Sequence, residues 1–424
     1  MPNVKKRRYF SPINNFQVIS QHFWPESFLI NDFALSLRAR KHDIEVLTGL
    51  PNYPAGKFFK GYNYSGPYSE YYQDIPVWRC PLIPRGNASK WRLTINYLSF
   101  AFLSCIRGLF VCRRPFDVIL VFENSPVTVG IPARFIKMLS GARLFFWVQD
   151  LWPESLSATG AIRSSIILKW VGKLTQWIYK GCDCILIQSQ AFRESVIKYG
   201  AKLDQIRYFP NYAEDIYKPV TLSVDAPENA LMPAGFRVMF AGNIGKAQDF
   251  ETILAAAKLT QIKPDIQWVI LGDGRNRDWV EDKIRRCNLT NVHLLGRYDK
   301  EKMPAFFSLA DVMLVSLKRE PIFALTVPAK VQSYLACGKA ILASLDGEGA
   351  RIINEARAGL TVPAENPREL ADAVLRLSTL GSEALMEMGR NARTYFETHF
   401  SRTNLLDDFE GWLNEFSNDS KINK

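Results

Sequence analysis

The sequence predicts an α/β protein made of two Rossmann-like halves with a cleft between them. Short apolar runs typical of buried strands alternate with helical segments along both halves. This alternation favours parallel sheets joined by right-handed crossovers. Turn residues are dense at 207–219, which predicts a linker between the halves. The length of 424 residues also exceeds that of a usual single domain.

The first half opens with a basic segment, 1–15, which we predict to be a disordered arm. This segment lacks the apolar core of a secretory signal, so we expect a cytoplasmic protein. A domain is predicted over 16–213, with a helix at 31–40. Its strands are predicted at 16–20, 44–48, 118–122, 144–148 and 184–188.

The second half is predicted to be a domain over 214–400, followed by a helix and tail at 401–424. The last helix, about 403–416, carries four apolar residues on one stripe and should pack back across the linker. These residues are Leu405, Phe409, Trp412 and Phe416. The strands of the second half are predicted at 238–241, 266–271, 292–295, 312–317 and 340–343.

A glycine-containing turn follows the first strand of the second half, within FRVMFAGNIGKAQDFETILAAAKL at 236–259. Gly242 and Gly245 permit a sharp turn and a close approach of the backbone to a ligand. The N-terminus of the following helix directs N–H groups toward an anion, and Lys246 adds a point charge. The turn predicts either a phosphate site or an ordinary strand–helix connection. The LGDG motif at 271–274 closes the next strand with another glycine turn.

The positive charge is concentrated in the first half. Residues 1–213 contain 27 Lys and Arg against 13 Asp and Glu, whereas the remainder contains 26 against 29. Such an imbalance indicates a surface that meets an anionic partner, either nucleic acid or a membrane. We find no aromatic RNA-binding signature and no zinc-finger spacing, so an anionic membrane is favoured over nucleic acid.

Two apolar segments of the first half carry basic residues beside aromatic ones, as interfacial helices do. Segment 93–106 has no charged residue and is too short to span a bilayer. It is flanked by Lys90, Trp91, Arg92, Arg107, Arg113 and Arg114. Segment 163–180 is predicted to place Ile166, Ile167, Trp170, Leu174, Trp177 and Ile178 on one face. The alternative is that both segments are core helices.

The sequence offers no recognisable metal site. The seven Cys are scattered, which is typical of reduced thiols in a cytoplasmic protein. The four His form no H-E-x-x-H motif, and the chain has no D-x-D pair to hold a metal–diphosphate. We therefore expect activity without a metal or other cofactor.

Several longer segments together resemble those of the retaining, GT-B-fold glycosyltransferases of family 4. The similarity is greatest to the branch that includes O-antigen L-fucosaminyl transferases, and it covers 16–416. It rests on TGLPNYPAGKFFKGY, FFWVQDLWPESL, FAGNIGKAQDFE, LGDG, LGRYDKEKMPAFFSLADVMLVSLK and VPAKVQSYLACGKAI.

The resemblance implies that the C-terminal half binds a nucleotide sugar, with UDP favoured. It implies that the N-terminal half binds the acceptor, often a polyprenyl-diphosphate sugar at the cytoplasmic membrane face. Transfer would proceed with retention, and the leaving phosphate would take the proton. The expected acceptor-binding residues are Trp24, Glu26, Asn31, Asn52, Tyr53, Glu123 and Glu154. The expected donor-binding residues are Gly242, Asn243, Gly245, Gln248, Gly272, Asp273, Gly274, Arg297, Tyr298, Thr326, Val327, Pro328 and Ser333.

Three residues are expected to take part in the chemistry. Without a metal, the departing diphosphate needs cations, for which Lys246 and Lys330 are the candidates. Asp150 is predicted either to orient a hydroxyl or to cap a helix. Glu154 has the alternative of a solvated acid in a first helical turn.

The chain departs from the wider family at the donor positions. Many members carry Arg and Lys where Asn243 and Gln248 stand, and two Glu where Leu325 and Ser333 stand. These departures motivate an alternative function, a sugar-nucleotide-binding protein that has lost catalysis. A Rossmann oxidoreductase is disfavoured because no G-x-G-x-x-G precedes an acidic residue at the required distance.

Overall fold

The computed structural model describes residues 14–111, 115–158, 162 and 164–422. Residues 1–13 of the predicted arm lie outside the described part of the chain, as do Cys112, Arg113, Arg114 and Arg163. The chain divides into two compact units. The first runs to Gln188 and resumes over Phe192–Phe209 and from Leu406 onward; the second comprises Ser189–Ala191 and Pro210–Leu405.

The described residues of the first unit form one eight-stranded sheet. Its strands are β1 (Asn15–Ile19), β2 (Asp43–Gly49), β3 (Ser69–Tyr72), β4 (Ile75–Cys80), β5 (Val118–Glu123), β6 (Arg143–Val148), β7 (Cys184–Ile187) and β8 (Ile206–Tyr208). Their order is β3-β4-β2-β1-β5-β6-β7-β8, and only β3 and β4 pair antiparallel. The strand order therefore reverses beside β1, where an open α/β sheet binds its ligand.

Six helices connect these strands within the described residues. They are α1 (Leu29–Ala39), α2 (Lys90–Val111), α3 (Gly130–Ser140), α4 (Glu154–Ala158), α5 (Ser165–Tyr179) and α6 (Phe192–Lys198). The first strand starts at Asn15, and Asn14 is buried, so the predicted arm is two residues too long.

The second unit contains a six-stranded parallel sheet. Its strands are β9 (Phe236–Ala241), β10 (Ile266–Leu271), β11 (Val292–Gly296), β12 (Val312–Ser316), β13 (Ile341–Ser344) and β14 (Gly359–Val362). The order β11-β10-β9-β12-β13-β14 reverses beside β9. The helices are α7 (Phe250–Thr260), α8 (Arg277–Arg286), α9 (Met303–Leu309), α10 (Pro321–Leu325), α11 (Ala329–Ala336), α12 (Glu348–Glu355), α13 (Pro367–Thr379) and α14 (Ser382–His399).

The last helix, α15 (Arg402–Ile422), belongs to the first unit from Leu406 onward. Phe409 is fully buried, and its ring centroid lies 5.3 Å from that of Phe33 and 5.7 Å from that of Phe209. Arg40 holds the polar side of the helix through Asp407 and Glu410, at 2.7 and 2.8 Å. The predicted return of this helix to the first half is confirmed.

Candidate active site

A cavity of about 430 Å³ opens at the carboxyl ends of β9, β10 and β11 in the second unit. This is the edge of a parallel sheet at which ligands bind. The lining residues are Gly242, Asn243, Leu271, Gly272, Asp273, Gly274, Arg297, Tyr298 and Met303. All but Leu271 and Met303 were predicted from the sequence as donor contacts.

Glycine forms the walls of the cavity because two turns touch through their backbones. Gly242 and Gly272 have φ values of +136° and +145°, which side-chain-bearing residues rarely adopt. A Cβ on Gly272 would lie 1.8 Å from the carbonyl oxygen of Gly242, and one on Gly274 would lie 2.4 Å from that of Ile244. Any larger residue would force the turns apart and change the cavity.

The backbone of the first turn is held by the neighbouring strand ends. The Gly242 N–H donates to the Leu271 carbonyl at 2.8 Å, and the Ile244 N–H donates to the Asp273 carbonyl at 2.8 Å. The helix α7 begins only at Phe250, after a buried Asp249 in the left-handed conformation. The Ile244 N–H is therefore already occupied and cannot contact a ligand.

Lys330 reaches the turn from the second position of α11. Its Cε lies 2.7 Å and its Nζ 3.1 Å from the position of a Cβ on Gly242. Part of the side chain is exposed, but Nζ is buried, lacks a partner among the described residues, and lies 3.4 Å from the centroid of the Phe240 ring. Burial lowers the pKa of Lys330 from 10.5 to about 7. Lys330 is therefore not a solvated surface lysine.

The other residues predicted to meet the donor lie outside the cavity lining. Lys246 is exposed in a short turn at Lys246–Gln248. A Cβ on Gly245 would lie 2.6 Å from the Asn243 Nδ2 and 3.0 Å from the Gln248 Oε1, so the two amides flank this glycine. These are two of the positions at which the sequence analysis found a departure from the wider family.

In the segment before α11, the hydrogen-bonding groups of Thr326 are bonded to residues of the same segment. The Thr326 N–H donates to Phe323, its hydroxyl donates to Ile322, and Val327 is buried. Pro328 caps α11, and the Ser333 hydroxyl donates to the Ala329 carbonyl at 3.2 Å. The Thr326 backbone N–H is thus not free to contact a sugar.

In the first unit, Glu26 joins the two loops that follow β1 and β2 at the carboxyl ends of these strands. Its Oε1 accepts the N–H groups of Asn52 and Tyr53, at 2.7 and 2.6 Å, and its Oε2 bonds His22 Nδ1 at 2.9 Å. The Asn31 side chain donates to the Glu26 carbonyl at 2.6 Å. Glu26 is 2% exposed, so its first role is to fix the loop that carries Tyr53.

Glu123, at the end of β5, is fully buried and holds the loop after β6. Its Oε2 accepts the N–H groups of Gln149 and Asp150, both at 3.2 Å. Burial and the charge of Asp150 raise the pKa of Glu123 well above its ordinary value, and burial raises the pKa of Asp150. The cap alternative for Asp150 is wrong, since α4 begins four residues later.

Tyr97 lies near both Arg85 and Asp150, and neither Tyr97 nor Arg85 was predicted from the sequence. Burial raises the pKa of the Tyr97 phenol, while the nearby Arg85 opposes the rise and the Asp150 charge reinforces it. The Arg85 guanidinium lies over the Tyr53 ring, 5.0 Å from its centroid. A recognised strand at Ile75–Cys80 would have indicated Arg85, because its loop follows that strand at the ligand-binding edge of the sheet.

The remaining acceptor candidates occupy different surroundings. The Trp24 ring stacks on Tyr72 at 5.5 Å. Glu154 starts α4, where its Oε1 accepts the Ser195 hydroxyl at 2.8 Å and its Oε2 is buried, so it is not a solvated acid.

Helix α2 exposes an apolar stripe along its whole length. Four residues within about 40° around the helix axis are 47–66% exposed: Trp91, Leu98, Phe102 and Leu109. The opposite face packs on the unit through Asn96, Phe100 and Ser104. Within the described residues α2 is long and apolar enough to cross a membrane by length and composition, contrary to the estimate from 93–106. A core helix would be mostly buried, whereas only 28% of the most apolar 18-residue stretch of α2 is buried.

Helix α5 carries a second exposed apolar stripe, formed by Ile166, Trp170 and Trp177. The helices α2 and α5 both pack against α3. Ile178 was predicted to share this stripe, but it is fully buried. It lies about 100° or more from Trp177 and Ile166 around the helix axis. We call the two stripes together the outer apolar face.

Among the described residues, no three His, Cys, Asp or Glu side chains are grouped as metal ligands. The buried Cys182 and Cys184 are free thiols whose pKa burial raises.

Comparisons with known proteins agree with this division. Residues 29–212 match the glycosyl transferase 4-like domain, and residues 235–379 match the family described as glycosyl transferases group 1.

Two relatives cover most of the chain. The putative colanic acid biosynthesis glycosyl transferase WcaI of Escherichia coli K12 is 28% identical over 71% of this chain and 75% of its own. The probable glycosyltransferase WbjE of Pseudomonas aeruginosa is 28% identical over 81% of this chain and 86% of its own.

Two solved structures share the fold. Sucrose-phosphate synthase from Thermosynechococcus elongatus superimposes with a TM-score of 0.71 at 18% identity, covering 95% of this chain and 99% of that one. Anabaena HepE in complex with UDP superimposes with a TM-score of 0.67 at 13% identity, covering 95% and 100%. The chain is a glycosyltransferase of the GT-B fold, with a glycosyltransferase 4-like domain followed by a group 1 domain.

Proposed function

We propose that this protein transfers a sugar from a UDP-sugar to a polyprenyl-diphosphate-linked saccharide, with retention, during the synthesis of a surface polysaccharide. N-acetyl-L-fucosamine or a related amino sugar is the proposed donor sugar. The observation that carries the proposal is the glycine-walled cavity of the second unit with Lys330 buried at its turn. The names of the relatives, colanic acid biosynthesis among them, support the polysaccharide context.

The cavity suits a nucleoside diphosphate. Its glycines permit close approach of a large ligand, and the ring of Tyr298 and the guanidinium of Arg297 line it. The structure of HepE was solved in complex with UDP, which supports the choice of nucleotide. A diphosphate leaving group needs positive charge at the moment of bond cleavage. Lys330 supplies that charge in this proposal, because its buried Nζ has no protein anion to neutralise it among the described residues.

The first unit is proposed to hold the acceptor at the ends of β1, β5 and β6. Asp150 is the residue that we propose orients the reacting hydroxyl, and Glu123 fixes its loop through two backbone N–H groups. No dedicated base is needed if the departing phosphate takes the proton. Activity is proposed to be independent of a metal; abolition by EDTA with restoration by Mg²⁺ or Mn²⁺ would contradict this.

We further propose that the protein lies on the inner face of the cell membrane through the outer apolar face. Trp and Lys alternate there: the Lys173 Nζ lies 4.8 Å from the centroid of the Trp170 ring. Aromatic residues beside cations suit the interface of an anionic bilayer. Binding to anionic vesicles should weaken with salt. Failure to bind them at low salt would exclude this location.

Turnover tests the function directly. The purified protein is incubated in detergent with UDP-sugars and a polyprenyl-diphosphate-linked saccharide, and released UDP is measured. We expect release that depends on the acceptor. A thermal-shift panel of UDP, GDP, dTDP and ADP runs in parallel, since a ligand of the folded state raises the melting temperature. Stabilisation by UDP without turnover of any sugar would favour the inactive sugar-nucleotide-binding alternative.

A further inference from the structure

Two arginines meet at the turn that precedes α2. The Arg85 N–H donates to Asn52 Oδ1 at 3.1 Å, which fixes the backbone, and its guanidinium lies over the Tyr53 ring. Arg92 folds back on the same turn, because a Cβ on Gly86 would lie 3.6 Å from its Cδ and 3.9 Å from its Cζ. The Gly86 N–H is itself bonded to the Gly56 carbonyl at 2.9 Å. Arg92 thus packs against the residue that follows Arg85, and the two arginines are here called the arginine pair.

The arginine pair lacks an internal counter-charge. Within the described residues neither guanidinium forms an ion pair with a carboxylate. Elsewhere in the same unit, Arg38, Arg40, Arg79 and Arg207 all form such pairs. Both members are half-buried and rest on aromatic rings, since the Arg92 Cζ lies 4.9 Å from the centroid of the Trp91 ring. Two guanidinium groups that are held on aromatic rings of the same turn region and lack a carboxylate partner among the described residues fit phosphate oxygens.

The arginine pair also lies between two features of the proposed acceptor site. On one side is Tyr97, which feels the charges of both Arg85 and Asp150. On the other side Trp91, the first residue of the exposed stripe of α2, touches Arg92. A ligand with a sugar, a phosphate group and a long apolar chain would meet these three features in that order.

We infer that Arg85 and Arg92 bind the diphosphate of the lipid-linked acceptor, with its sugar directed toward Tyr97 and Asp150 and its chain toward the stripe of α2. This inference rests on the proposed function, because it takes the acceptor to be diphosphate-linked. The arginine pair sets the depth of the acceptor relative to the bilayer. Phospholipid headgroups carry the same phosphate chemistry, so the test must separate them from a diphosphate-linked lipid.

The test measures binding without turnover, using farnesyl diphosphate, farnesyl monophosphate and farnesol in detergent micelles. Arg85→Ala, Arg92→Ala and the double variant are compared with the wild type. We expect the double variant to bind farnesyl diphosphate about ten- to a hundredfold more weakly, as for lost charge-assisted hydrogen bonds. Farnesol binding should not change, and Arg85→Lys should lose only part of the affinity.

Two controls make the result specific. Lys198→Ala removes an exposed cation of the same unit on α6 and should leave farnesyl diphosphate binding unchanged. Affinity for UDP should be the same in all variants, which also establishes that they are folded. Weaker farnesyl diphosphate binding with UDP binding intact supports the inference, whichever sugar is transferred.

Two outcomes would overturn it. The first is equal farnesyl diphosphate affinity in the wild type and the double variant. The second is an equal loss of binding to phosphatidylglycerol vesicles that contain no diphosphate lipid, which would assign the pair to headgroups. Failure of the wild type to bind UDP or turn over a donor would contradict the proposed function separately, since the farnesyl diphosphate measurement needs neither.

Discussion

The two sheets each reverse their strand order beside their first strand, yet different chemical groups form the candidate sites at their ends. In the second unit, backbone and glycine surround an open cavity, and the buried amine of Lys330 lies against one of its glycines, Gly242. In the first unit, buried carboxylates and amides bond the loops to one another. In the proposed function, the backbone-lined site takes the nucleotide, and the site built from side chains takes the acceptor.

The largest effect is expected from a substitution that adds a side chain at the contact between the two glycine turns. Gly272→Ala would place a Cβ 1.8 Å from the Gly242 carbonyl oxygen, at a φ of +145°. Strain of this kind costs about 1–3 kcal/mol before the clash is relieved. We expect a loss of at least that size in the free energy of unfolding, measured with urea, and loss of UDP binding.

Gly381→Ala is the matched control, since its φ is +78° and no atom lies within 4 Å of the added Cβ. It should cost about 1–2 kcal/mol and leave UDP affinity unchanged. Equal effects of the two substitutions would mean that the contact between the turns is unimportant.

The next effect concerns Lys330. A cation beside the leaving phosphate in a dry site contributes about 2.7 kcal/mol, or roughly a hundredfold in rate. We expect Lys330→Ala to lower turnover by about that factor with the fold intact, and Lys330→Arg to restore part of it. The exposed Lys258→Ala on α7 serves as the control. Near-normal kinetics of folded Lys330→Ala would contradict the proposal that Lys330 stabilises the leaving diphosphate.

The pH dependence of UDP binding tests the same proposed role of the Lys330 charge. Because burial lowers the pKa of Lys330 to about 7, the free protein loses this charge as pH rises through 7. UDP affinity should therefore be greatest below pH 7 and fall by up to about tenfold per pH unit above it. Calorimetry in buffers of different ionisation enthalpy should detect proton uptake on binding, absent in Lys330→Met. A pH-independent wild type contradicts the role of Lys330.

The smallest effect is expected in the first unit, at Glu123. Its raised pKa means that the folded state keeps a proton that the unfolded state releases above about pH 4.5. This contribution to stability is complete below the unfolded pKa and is lost as pH rises toward the folded pKa, by up to about 1.4 kcal/mol per unit. Glu123→Gln keeps an acceptor for the two N–H groups without an ionisable proton.

We therefore expect Glu123→Gln to be more stable relative to the wild type at pH 7 than at pH 4, by urea denaturation. Glu123→Leu leaves both N–H groups unpaired and should be destabilised by about 1–3 kcal/mol or more at either pH. A constant difference between Glu123→Gln and the wild type across this range would mean that Glu123 is ionised when folded.

The contrast between the units also explains what could be predicted from the sequence. Strand ends and glycine turns are local signals, and parallel strands bring them to one edge, so most of the cavity lining was predicted. The buried state of Lys330 was not, because it depends on Phe240 and Gly242, about ninety positions away in the chain.

In the first unit the missing information was the strand β4. Pro76 and Arg79 interrupt its apolar pattern, so Ile75–Cys80 does not read as a buried strand, and the position of Arg85 could not be predicted. Strand β14 was missed because it is short and mostly half-exposed. The bonds of Glu26 to Asn52 and Tyr53 join residues 26 and 27 positions apart, which periodicity does not reveal.

Hydrogen exchange with and without UDP tests the division between the two sites most directly. Mass spectrometry of peptides follows each backbone segment of the wild-type protein. We predict slower exchange with UDP at 242–249, 271–276 and 296–303, and no change at 20–28 and 149–154. Protection of the first-unit segments instead, with the glycine turns of the second unit unchanged, would contradict the assignment of the donor to the glycine-walled cavity.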